Sequence, residues 1–161
     1  MDFKNHFSQD SMMASDEIKK AEQSMSAALA NRAWSSAEKH ARSVLKTDPL
    51  SAYALFSLGL SLAAQGDEES GEGYLEKAIE IDPTNFDAYY NLANIYLKRN
   101  DYGMAITLYA KALIQSEDNH PILYQLAKAY ESSGENEKAI EFYGKAMQQV
   151  QIRAATFIIR A

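Results

Sequence analysis

The sequence predicts an all-α chain built from repeated helix-turn-helix units, and three observations carry that expectation. Leu55-Phe56-Ser57-Leu58-Gly59 recurs as Tyr89-Tyr90-Asn91-Leu92-Ala93 and as Leu123-Tyr124-Gln125-Leu126-Ala127. This spacing of 34 residues also holds at Gly71, Ala105, Ala139 and at Leu75, Tyr109, Tyr143. Within a unit the apolar residues keep a helical period: Tyr89, Leu92, Ala93, Tyr96 and then Ala105, Leu108, Tyr109, Ala112 recur at i, i+3, i+4, i+7. Turn and capping residues, Gln65-Gly66-Asp67, Asn100-Asp101 and Ser133-Gly134-Glu135, divide each unit into two short helices.

In chain order, residues 1–15 (MDFKNHFSQDSMMAS) read as a flexible tail whose Phe3 and Phe7 are able to fold into a groove of this chain or a neighbour. The repeat domain spans 16–153. Its first unit, 18–51, is degenerate, with Ala21, Ser24, Met25, Ala28, Ala37, Ala41, Val44 and Pro49 in register, a convincing second helix and a weak first one; Trp34 matches Tyr102. The units 52–85, 86–119 and 120–153 follow. Pro83 ends the first of these, Glu117 stands at the matching place in the second, and Pro121 opens the first helix of the third, where proline is tolerated. Residues 154–161 extend the last helix: Val150, Ala154, Phe157 and Ile158 share a helical face, although the segment also alternates as a strand would.

Packing follows from the same register. Small residues at Gly59, Ala93 and Ala127 face Gly71, Ala105 and Ala139, so the paired helices approach closely and a bulky residue there should split them. Gly71 and Gly73 replace better helix formers, which marks the second helix of 52–85 as the weakest interior element and the first to fray.

Length and composition fit one packed domain: 161 residues, 47% hydrophobic and 24% charged. A net charge of −6 opposes capture of nucleic acid, which requires a basic face. With no cysteine there are no disulfides or thiolate metal sites. No stretch reaches the ~20 apolar residues of a membrane span and no secretion signal opens the chain, so the expectation is a cytoplasmic protein that does not insert in membranes. His6, His40 and His120 fall in different parts of the pattern, and no phosphate loop or nucleophile motif is present. We therefore expect no enzyme and no cofactor or metal. Asp67-Glu68-Glu69 opens a helix, where acidic groups favour the positive end of the dipole, a structural role.

The 34-residue register, with Leu58-Gly59, Leu92-Ala93, Leu126-Ala127, the paired Tyr or Leu, the following Ala and Pro83, resembles the tetratricopeptide repeat. The resemblance implies a right-handed superhelical stack, an α-solenoid, whose first helices line a concave groove. It then assigns peptide-binding positions: Tyr53, Phe56 and Leu60 in one unit, Tyr90, Asn91, Asn94 and Leu97 in the next, Tyr124, Gln125 and Lys128 in the third. Phe56, Tyr90 and Tyr124 share one position and should form an aromatic ladder, with Asn91 and Gln125 beside it to meet main-chain groups of a bound peptide. Members of the family that hold chaperone carboxylates place cationic residues and an Asn on three successive first helices. Here those places carry Phe56 and Leu60, Asn91, and Pro121 and Gln125, so that ligand class is not expected.

The functional expectation is a non-enzymatic adaptor or chaperone-like module that binds a protein or peptide partner. An alternative is a self-associating scaffold, a homo-oligomer assembled through the apolar C-terminal end (Phe157, Ile158, Ile159); another is the repeat module of a larger protein.

Overall fold

The computed structural model describes residues 3–116 and 120–160, with side chains over 16–116 and 120–155. Among them are eight helices: α1 (Phe3–Ala30), α2 (Trp34–Thr47), α3 (Ala52–Ala64), α4 (Glu68–Ile81), α5 (Phe86–Lys98), α6 (Tyr102–Gln115), α7 (His120–Ser132) and α8 (Asn136–Arg160). The chain is all-α and forms two compact units, Met1–Ile81 and Asp82–Ala161. In the first, α1 pairs with α2, α3 packs on α2, and α3 pairs with α4; in the second, α5 pairs with α6, α7 packs on α6, and α7 pairs with α8.

Helix starts and stops recur with the repeat. Ser51, Asn85 and Asp101 cap α3, α5 and α6 by accepting from the backbone N–H of Ala54, Ala88 and Met104, and Asp67 accepts from Ser70 at the start of α4. Arg32, Gly66, Asn100 and Gly134, one per repeat at the same register position, all have positive φ, the left-handed residue that ends a helix. Arg32 holds that conformation without being glycine, at a cost of about 1 kcal/mol.

Helical backbone begins at Phe3, so α1 takes in most of the segment that the sequence leaves as a tail. No Gly or Pro occurs before Pro49 to interrupt it. The side chains of Phe3 and Phe7 lie outside the described residues, as do those of Phe157, Ile158 and Ile159 and the whole of Glu117. The C-terminal segment continues as helix through α8.

Close approach is sharpest between α3 and α4. A Cβ placed on Gly59 would lie 2.9 Å from the Gly71 carbonyl oxygen, and one on Gly71 would lie 2.8 Å from the Gly59 carbonyl oxygen. Gly71 is thus a packing requirement in addition to a weak helix former. Gly73 has open space around it.

The expectation that a bulky residue splits a helix pair needs correction in the first hairpin. Met25 occupies the position held elsewhere by Gly59, Ala93 and Ala127, yet it is fully buried in one cluster with Ala41, Val44, Ala54, Leu58 and Leu62. The space comes from Ala41, which stands where the other hairpins carry Leu75, Tyr109 and Tyr143. Large and small have exchanged sides, and the pair stays closed.

Candidate functional site

In the unit Asp82–Ala161, α5 turns Ala88, Tyr89, Leu92, Ala93 and Ile95 into the core, leaving Tyr90, Asn91, Asn94 and Leu97 half-buried. Likewise α7 buries Ile122, Leu123, Leu126, Ala127 and Ala129, which leaves Tyr124 and Lys128 exposed and Gln125 half-buried. The half-exposed faces follow from the helical period: the positions between buried ridges must point away from the core.

The unit Met1–Ile81 differs. On α3 Tyr53 is exposed and Leu60 half-buried, but Phe56 is only 7% exposed, so it is no open rung of an aromatic ladder. The cause is the composition of α3, apolar nearly all round and packed against both α2 and α4. The Phe56 ring lies against Tyr53 with centroids 6.4 Å apart.

The remaining two aromatics rest on second helices of their own repeats. Tyr90 meets Tyr109 at 5.8 Å between centroids, tilted by 58°, and Tyr124 meets Tyr143 at 5.5 Å, nearly edge-on at 62°. Both supporting tyrosines bond back to first helices: the Tyr109 hydroxyl donates to Asn94 Oδ1 at 2.5 Å, and the Tyr143 hydroxyl donates to Glu131 Oε2 at 2.8 Å. Burial, then the neighbouring Tyr90, pushes the Tyr109 phenol well above its ordinary range. Burial and the bond to Glu131 push Tyr143 up to about 12. In the sequence Tyr109 and Tyr143 stand only as register positions; the signal that they brace the candidate rungs is an aromatic recurring at a constant offset from Tyr90 and Tyr124.

Polar groups of the candidate site are partly committed within the fold. Asn91 Nδ2 donates to the Asp87 carbonyl at 2.8 Å and Asn94 Oδ1 receives Tyr109, so the Asn91 amide oxygen and Asn94 amide nitrogen are the atoms outside those bonds. Burial raises the Asp87 carboxyl above its ordinary value. Gln125 Oε1 is shut off from solvent with no partner among the described residues, a cost of roughly 1–3 kcal/mol.

Among the described residues no group of three or more His, Asp or Glu is arranged to hold a metal ion, and no helix is long and apolar enough to cross a membrane.

Known proteins place this geometry. Models of the tetratricopeptide repeat match residues 25–86, 74–107 and 97–155. No curated protein sequence matches. Among solved structures, a crystal structure of MamA aligns over 86% of this chain and 81% of its own, with a TM-score of 0.76 at 20% identity. MamA from Desulfovibrio magneticus RS-1 aligns over 83% of this chain and 76% of its own, with a TM-score of 0.72 at 22% identity. A mutant O-GlcNAc transferase of Thermobaculum terrenum aligns over 73% of this chain but 22% of its own, with a TM-score of 0.68 at 25% identity. The matched repeats cover both compact units, and the hairpins, caps and left-handed breaks recur with them: the chain belongs to the tetratricopeptide repeat family.

Proposed function

We propose that the chain is a non-enzymatic protein-interaction module, and that the exposed faces of its first helices hold a segment of a partner protein. The observation that carries this reading is Tyr124, 50% exposed yet braced by Tyr143, beside Gln125 and Lys128 on a helix that buries Ile122, Leu123, Leu126, Ala127 and Ala129 on its opposite side. A braced aromatic offers apolar area at little entropic cost, and the amides of Asn91 and Asn94 retain groups that main-chain N–H or C=O can meet. In the other unit α3 presents Tyr53 and Leu60 on its own face, while the Phe56 ring is buried.

The test is a peptide selected from a random library against the full chain, its affinity measured by calorimetry. Asn91→Ala and Lys128→Glu should each weaken binding roughly tenfold, the effect of removing a significant interface contact, with helix content unchanged by circular dichroism. Peptides that bind both variants as tightly as the parent chain would show that these faces are not the site.

A further inference from the structure

The last repeat ends in a face that the preceding repeat keeps covered. In 86–119, where α7 packs on α6, Tyr109 and Ser116 are buried and Ile106 and Leu113 half-buried. At the matching positions of 120–153, Ile140 is 73% exposed, Met147 64% and Val150 48%, and Tyr143 becomes half-buried. Between α7 and α8, Tyr143, Met147 and Val150 border an open cleft of about 470 Å³ lined also by His120, Tyr124, Ala146 and Gln151, none of which carries a carboxylate, ammonium or guanidinium group. These positions continue the helix-packing surface of the preceding repeat.

We propose that this face docks against the same face of a second copy, about a two-fold axis. Two features select that occupant. First, the helix that docks on a preceding repeat does so through Ile122, Leu126 and Ala129 in α7, and through Ala54 and Leu58 in α3, all buried. The corresponding residues of α1 are Lys20, Ser24 and Ala27, so a head-to-tail copy would set an ammonium group and a hydroxyl over an apolar cleft. Second, the cleft lining is uncharged, so meeting its own copy buries no ion there, and exposed Ile140, Met147 and Val150 supply apolar ridges on both sides. Gly144, one turn from both Ile140 and Met147, has nothing within 4 Å of an added Cβ, which leaves a notch between those ridges.

The full chain should sediment as a dimer at about 100 µM and dissociate on dilution, the behaviour of a micromolar contact. Met147→Lys and Ile140→Lys, both at exposed positions, should raise the dissociation constant roughly tenfold or more and leave the circular dichroism spectrum unchanged. Because the chain has no cysteine, Met147→Cys should give a disulfide-linked dimer on oxidation. A chain that is monomeric at that concentration, a dimer insensitive to both lysine variants, or an open-ended series of oligomers overturns the proposal. Tyr124 lines the cleft beside Met147, whereas Ile140 lies outside that lining, so Ile140→Lys is the variant that separates loss of the dimer from loss of peptide binding.

Discussion

Met25 and Ala41 show how much of this fold rests on single side-chain volumes. In three hairpins the register sets a small residue on the first helix against Leu or Tyr on the second, as Gly59 lies against the Leu75 side chain; in the first hairpin the order is reversed, and both residues are fully buried. Met25→Ala should destabilise the chain by about 2–4 kcal/mol through the cavity it leaves. Adding Ala41→Leu restores the arrangement of the other hairpins and should recover part of that loss in urea unfolding. If the double variant is no more stable than Met25→Ala alone, the volumes are not exchanged across this pair. The same scale explains why Phe56 departs from its expected place: the sequence pattern gives its position on the helix, but its burial depends on what packs against α3 from two sides.

For whole helices, close packing and helix propensity compete, and α4 contains one case of each. Gly71 lies against the α3 backbone, whereas Gly73 faces open space. Gly73→Ala should therefore stabilise the chain by about 0.8–1.0 kcal/mol, while Gly71→Ala should destabilise it by about 1–3 kcal/mol because two backbones must part. Thermal unfolding distinguishes the two; equal gains from both would show that the approach of α3 and α4 is not tight.

A polar network also ties α2 to the end of α3. Gln65 Nε2 donates to Glu38 Oε2 at 2.7 Å, Ser35 Oγ donates to Gln65 Oε1 at 2.9 Å, and Arg42 donates to Glu38 Oε1 at 2.8 Å. Hydrogen bonds from Arg42 and then Gln65 hold the Glu38 carboxyl below its ordinary value of 4.5. Its stabilising effect is therefore present above the unfolded value and is lost as pH falls through the lower folded one. Glu38→Gln should be less stable than the parent chain at pH 7, and the difference should shrink as pH falls below about 4.5. Denaturant midpoints measured across that range check it; a constant difference would mean the carboxylate charge plays no part.

For the molecule as a whole, charge gives one expectation about partners and repetition accounts for the fold. A net charge of −6 leaves little to displace counterions from a phosphate backbone. No retention of duplex DNA or RNA is expected in a gel-shift assay even at low salt, and salt-sensitive binding would contradict this. Repetition made most of the fold legible. The register from Leu55 to Ala146 set three of the four hairpins, their turns at Gly66, Asn100 and Gly134, and the buried residues Leu92, Ala93 and Ala105, because a helical period repeated every 34 residues fixes which side chains turn toward the paired helix. What that register could not decide was the fate of residues at the margins of a face. Phe56, Tyr90 and Tyr124 share one position, yet they are buried, half-buried and exposed in turn, and Met147 is bare where Leu113 is partly covered. Local sequence determines which way a side chain points; only tertiary structure decides whether another helix stands in front of it, because burial depends on neighbours contributed by other parts of the chain.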